Sequence, residues 1–230
     1  MMIEIIGLFL LSWLVVWIFQ RKDLSVLGLN LTKIKIRFLI ILFFSTAICC
    51  LLGVVLRMYI AEEVFTMNRT LNSSKVFNGI WLIFKSVVFE ELVTRGVLLY
   101  ILIKRLGKKW AIFISSLFFS LLHLNILPND AGLIEMVLTF LYPFMFGLVM
   151  AYSYVKSYSL YLPFAIHFGW NIIENLVAPG KSNDSILIIQ EQPIITVSYF
   201  AFFMVVAFPK LLAITVDYFI VKKIPLDASP

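Results

Sequence analysis

The chain has 230 residues, 62% of them hydrophobic and only 14% charged, with a mean hydropathy of +1.00, whereas a soluble globular domain carries about 25% charged residues. A water-soluble core of this length cannot hide so much apolar surface, so composition excludes an ordinary soluble domain and implies one integral membrane domain over residues 1–230. The net charge of +6 does not mark a nucleic-acid partner. Lys and Arg stand in short runs beside apolar stretches, and no basic face is interleaved with stacking aromatics.

The chain opens Met1-Met2-Ile3-Glu4, without the basic start or small-residue cleavage site of a secretory signal, so its first apolar segment is expected to be retained. Apolar runs long enough to cross a bilayer follow at 3–19, 38–59, 78–103, 110–127, 133–155, 159–177 and 194–220. The last is overlong and contains Pro209-Lys210, so a break is expected there. The fold class is thus all-α, a polytopic transmembrane bundle of about 7–8 helices. Cys49 and Cys50 are adjacent inside an apolar run and read as small packing residues, with neither disulfide nor metal-knuckle spacing. The polar stretch 57–77, with Glu62, Glu63 and Asn72-Ser73-Ser74, reads as a surface loop or interfacial helix.

Alternate loops differ in charge. One set holds twelve basic residues: Arg21, Lys22, Lys33, Lys35, Arg37, Lys104, Arg105, Lys108, Lys109, Lys156, Lys222 and Lys223. The other holds four: Arg57, Arg69, Lys75 and Lys181. This asymmetry places the N-terminus outside and the C-terminus in the cytoplasm of what is expected to be a prokaryotic cytoplasmic membrane.

The third apolar run contains Glu90, Glu91 and Arg95, and each such residue at a helix centre costs roughly 2.5–3.5 kcal/mol to insert. At about 100° per residue, Glu91 and Arg95 share a face one turn apart, in the favourable order for an ion pair. Glu90 lies about 140° from Arg95, so that arginine does not neutralise it, and an unneutralised carboxylate in an apolar span suits general acid/base work. The bland interpretation is an ion pair that fixes helix register, with Lys85 snorkelling to the outer interface. The chain has only two histidines. Phe119 and His123 share one helical face and His167 and Asn171 another, each pair at i, i+4. Counted from the expected cytoplasmic helix ends, Glu90 lies about 21 Å deep, His123 about 20, Asn171 about 18 and His167 about 12, so the helices that carry them can meet at one level. A single membrane histidine is as readily an interhelical hydrogen-bond donor.

These residues form three ordered motifs, Glu90-Glu91-x-x-x-Arg95, Phe119-x-x-x-His123 and His167-x-x-x-Asn171. In them the chain resembles the CAAX protease and bacteriocin-processing family of intramembrane endopeptidases, which is related to the type II CAAX prenyl endopeptidases. The likeness extends to Leu92, Gly96, Ser115-Ser116, Phe146-Gly147, Ser159-Leu160 and Pro163, and a catalytic core at about 78–178 is expected from it. Thr94 departs from the aromatic or bulky apolar residue usual before the arginine. The resemblance implies that Glu90, assisted by His123, activates a water, and that His167 and Asn171 donate to the oxyanion. Glu91 and Arg95 would orient the catalytic helix, and Phe119 would wall the site. The implied partners are the bilayer and a membrane-associated peptide or protein, with a CAAX-type tail or a bacteriocin or signal peptide as candidates.

No cofactor is expected, although Glu90, His123 and His167 make a His₂Glu set that could hold Zn²⁺ with a water. Two further readings stay open. One is a non-proteolytic self-immunity factor or scaffold of the same fold. The other is a transporter, because buried carboxylates also mark ion paths and Glu174 stands one turn beyond Asn171.

Overall fold

The computed structural model describes residues 2–21, 24–125, 127–128, 130–178, 185–191 and 198–226. Lys22 and Lys181, counted above for orientation, and the start of the last apolar run at Ile194 lie outside them. The described residues form α1 (Met2–Gln20), α2 (Lys33–Ile60), β1 (Val64–Met67), α3 (Ser73–Arg95), α4 (Val97–Leu124), α5 (Leu133–Ser157), α6 (Tyr161–Ile172), β2 (Leu187–Glu191), α7 (Tyr199–Phe202) and α8 (Phe208–Lys222).

Local chemistry sets many of the ends. Thr32 and Asn72 accept hydrogen bonds from the Lys35 and Lys75 amides and so cap α2 and α3. Ser198 caps α7 in the same way. The third apolar run, expected as one helix over 78–103, is divided. Helix α3 starts earlier, at its Asn72 cap, and stops at Arg95, because Gly96 leaves helical geometry at ψ −134°. Helix α4 then contains a second interruption at Gly107, with φ 80° and ψ 165°. Such a conformation suits glycine, and it falls among Lys104, Arg105, Lys108 and Lys109. The basic loop expected there shrinks to this one break.

The expected break at Pro209-Lys210 does not occur. Proline lacks an amide hydrogen and crowds the carbonyl four residues back. A π-helical turn at Phe203–Ala207 absorbs that mismatch, and Pro209 occupies the first turn of α8. The helical run Tyr199–Lys222 is therefore continuous, and with α2 and α5 it is long and apolar enough to cross a membrane. These three are the helices that meet both criteria among the described residues.

The polar stretch 57–77 is neither a loop throughout nor an interfacial helix. Its strand β1 pairs antiparallel with β2, Met67 opposite Leu187 and Phe65 opposite Ile189, with a bulge between Val64 and Phe65. Arg57 holds Glu63 at 2.6 Å and lies over the Phe65 ring, which secures the ribbon to the end of α2. The pairing joins segments more than 100 residues apart, which local periodicity does not report. The fold is helical, as the all-α class expects, with one small ribbon added to it.

Two buried apolar clusters organise the helices. One joins Ile5 and Val16 of α1 to Leu92, Leu99, Tyr100, Tyr154 and the Leu24–Leu27 turn. The other joins Leu42 of α2 to Phe119, Met150, Leu162, Ile166 and Ala213 on α4, α5, α6 and α8. Helices α2 and α6 approach so closely that a Cβ on Gly169 would stand 2.5 Å from the Phe43 carbonyl oxygen. That contact aligns α6 within the bundle and directs His167 toward α3.

Candidate active site

Arg95 and Glu91 are the anchor. Arg95 is fully buried and Glu91 is 2% exposed, and Arg95 Nη1 donates to Glu91 Oε1 at 3.0 Å. Helical spacing alone places this pair, and tertiary structure then encloses it. The guanidinium lies 4.0 Å above the centre of the Phe119 ring, a cation–π contact across α3 and α4. Opposite, Gly147 gives room to α4 and to Arg95, because a Cβ there would press on Ser116 at 3.0 Å and Arg95 Nη2 at 3.3 Å. Thr94 supplies a second acceptor to Arg95 Nη1 at 2.9 Å and donates to the Glu90 carbonyl at 2.6 Å. A bulky apolar residue at position 94 could offer neither bond.

His167 ties α6 to this anchor. Its Nδ1 donates to Glu91 Oε1 at 2.8 Å, so the same carboxylate oxygen joins Arg95 and His167. Since the Nδ1 proton is committed to a carboxylate, the other ring nitrogen is the one available for chemistry. That Nε2 stands 3.8 Å from Glu90 Oε2. Glu90 is partly exposed, with its other oxygen accepting from the Ser86 hydroxyl at 3.0 Å. The two adjacent glutamates therefore have different environments: Glu91 is sealed behind His167, and Glu90 faces open space.

His123 is oriented from within its own helix, its Nδ1 2.9 Å from the Phe119 carbonyl, which leaves Nε2 to face away. Phe119 packs edge-on against both imidazoles, with ring centres 4.5 Å from His123 and 5.4 Å from His167. One aromatic ring thus spaces the two histidines and covers the arginine. Glu90, His123, His167 and Asn171 all line a single cavity of about 710 Å³, and Phe119 forms part of its wall.

Every site residue expected from the sequence is in this neighbourhood, with Glu91 and Arg95 behind the cavity wall and the other five on it. Ser86 and Thr94 are additional contributors. Ser86 had a legible signal, since it precedes Glu90 by one turn. The cavity also continues past Trp170 and Glu174 to Tyr142 and Lys210, residues to which the sequence assigns no catalytic part. Among the described residues, no group of three His, Cys, Asp or Glu is arranged to hold a metal ion.

Fold and site together define a helical membrane protein whose buried ion pair positions an imidazole against a second carboxylate inside a cavity. Residues 72–173 match the family described as Type II CAAX prenyl endopeptidase Rce1-like, a stretch that contains all three motifs. No curated protein and no solved structure matches the chain.

Proposed function

We propose that the chain is an intramembrane endopeptidase in which Glu90 activates the hydrolytic water. The observation that supports this most is the position of His167, with Nδ1 on the sealed Glu91 and Nε2 beside the cavity-facing Glu90. In the proposed reaction Glu90, with His123 holding the same water, takes a proton as the water oxygen bonds to the scissile carbonyl carbon. The carbonyl electrons move to oxygen. Because Nδ1 already donates to Glu91, a protonated His167 donates to this oxyanion through Nε2, and Glu91 and Asn171 respectively balance its charge and supply a second donor. Such donors are worth about 2.7–4 kcal/mol each in soluble proteases. Collapse breaks the C–N bond, and the departing amine takes the proton from Glu90. The products are a carboxylic acid and an amine.

The substrate we propose is a membrane-associated peptide or protein, with a CAAX-type tail or a bacteriocin or signal peptide as candidates. We assign α1, α3, α4 and α6 to the same bilayer as the three long apolar helices, giving a bundle of about seven or eight spans. The basic loop residues support a cytoplasmic C-terminus and an external N-terminus in a prokaryotic cytoplasmic membrane.

Comparative peptidomics of cells with wild-type protein and with Glu90→Gln tests the proposal. Cleavage products should vanish with the variant at equal expression. A normally expressed Glu90→Gln protein with full cellular function would return the chain to a non-proteolytic self-immunity or scaffold role. Stringent chelation should leave cleavage unchanged; loss of activity that zinc restores would instead assign Glu90, His123 and His167 to a metal.

A further inference from the structure

The fully buried guanidinium of Arg95 carries N–H donors on three nitrogens. Nη1 donates to Glu91 Oε1 at 3.0 Å and to Thr94 Oγ1 at 2.9 Å, while Nε and Nη2 have no hydrogen-bond partner among the described residues. One of the two acceptors that fix this cation is therefore a hydroxyl outside the ion pair. A planar group held at one point can swing about that contact, whereas two divergent bonds set its plane. The plane matters because Glu91 Oε1 is shared: it also accepts from His167 Nδ1 at 2.8 Å. A swing of the guanidinium moves the carboxylate that holds the imidazole.

Thr94 is held on both sides. It is fully buried, and its hydroxyl gives its single proton to the Glu90 carbonyl at 2.6 Å, so a lone pair is what it offers to Arg95. Its own carbonyl lies in the last turn of α3, where the helix supplies no amide, and accepts instead from the Ser115 hydroxyl of α4 at 2.8 Å. Phe119 follows Ser115 by one turn on the same face of α4, and its ring centre lies 4.0 Å from the guanidinium carbon. Two residues of α4 thus brace the two ends of the contact between Thr94 and Arg95. Gly147 on α5 limits movement from another side, since a Cβ there would stand 3.3 Å from Arg95 Nη2.

We propose that Thr94 is a positioning residue: its hydroxyl fixes the plane of the Arg95 guanidinium and thereby, through Glu91, the place of the His167 imidazole. The distance at stake is the 3.8 Å between His167 Nε2 and Glu90 Oε2. Thr94 does not line the cavity, so it acts on these groups without touching a substrate. Its consequence for cleavage rests on the endopeptidase proposal, whereas its effect on His167 does not.

The test uses full-length protein in nanodiscs with isotope-labelled histidine, whose His167 signals are assigned in a His123→Gln background. Turnover is read on a synthetic peptide that spans a site cleaved in cells in a Glu90-dependent way. Thr94→Val removes the acceptor at similar size, Thr94→Cys replaces it with a weak one, and Thr94→Ser keeps it. The valine and cysteine variants should shift the His167 Nδ1–H resonance and lower kcat about tenfold at unchanged KM, the effect of one charge-assisted hydrogen bond. Thr94→Ser should keep the wild-type resonance and a kcat within twofold of wild type. A merely structural threonine would lower the thermal midpoint and leave the resonance and kcat of the folded protein unchanged, and that result overturns the proposal. So does a Thr94→Ser protein that behaves like Thr94→Val. If Thr94→Val does not fold, the cysteine and serine variants decide by the same two readouts.

The two proposals fail separately. Glu90-dependent cleavage that is indifferent to Thr94→Val and Thr94→Cys removes only the positioning role. A His167 resonance that follows the Thr94 hydroxyl, in a protein without Glu90-dependent cleavage, removes the peptidase and leaves the positioning role in place.

Discussion

Two buried carboxylates in this bundle have opposite surroundings. Glu91 on α3 and Asp217 on α8 are both almost inaccessible, at 2% and 0% exposure. Asp217 accepts from the Ser45 hydroxyl at 2.5 Å and the Thr46 hydroxyl at 2.7 Å, so each of its oxygens is satisfied by a neighbouring helix. It does not line the cavity. Glu91 instead shares one oxygen between Arg95 and an imidazole whose far nitrogen looks toward Glu90 and open space. Burial of a carboxylate therefore does not by itself mark chemistry in this protein. What separates the two is whether a titratable neighbour transmits the charge to a space a substrate can enter. Asp217 acts as a latch between α2 and α8, whereas Glu91 holds an imidazole that lines the cavity.

Substitutions can sharpen or break that contrast. Glu90→Gln should have the largest effect, a fall in cleavage rate of at least about 10³-fold, or some 4 kcal/mol of barrier, with an unchanged thermal midpoint. A residual rate within tenfold of wild type would remove Glu90 from the chemistry. Arg95→Met leaves Glu91 buried without its cation and should destabilise the protein by about 3–5 kcal/mol, read by reversible unfolding in mixed micelles. Retention of full stability would show that the pair is not the support proposed here. Asn171→Ala should lower kcat by about 10²–10³-fold with little change in KM, the signature of a donor used in the transition state. An effect confined to KM would make it a binding residue.

Asp217→Asn should have the smallest effect. Interhelical hydrogen bonds in membrane proteins are worth about 0.6–1.7 kcal/mol, so a modest loss of stability and an unchanged kcat are expected. If Asp217→Asn abolished cleavage while the protein remained folded, the distinction between latch and site would fail.

Much of this was legible before any fold was known, for reasons tied to particular residues. The pairing of Glu91 with Arg95 is a property of helical spacing, as is the common face of Phe119 with His123 and of His167 with Asn171. The divergence of Glu90 from Glu91 follows from the same geometry. Asp217 illustrates the limit, because its partners Ser45 and Thr46 lie some 170 residues away in the chain. Ordinary serine and threonine in an apolar run carry no signal of a distant acid. Thr94 is similar: by sequence it departs from the motif, and its use as an acceptor for Arg95 appears only with side-chain geometry.

Sequence alone determined that this is a membrane protein and which polar residues its helices must accommodate, because hydropathy and helical period are local properties. It also held the three motifs that lie within the stretch matched by the protease-family model. Tertiary structure decided the break after Arg95, the continuity through Pro209, the ribbon between β1 and β2, and the union of the three motif-bearing helices, with α5 and the Tyr199–Lys222 run, around one cavity. It alone showed that His167 stands between the two glutamates and that Lys210 faces the same space. These are contacts between segments far apart in the chain, set by packing of whole helices against one another, and no periodicity within a single segment contains them.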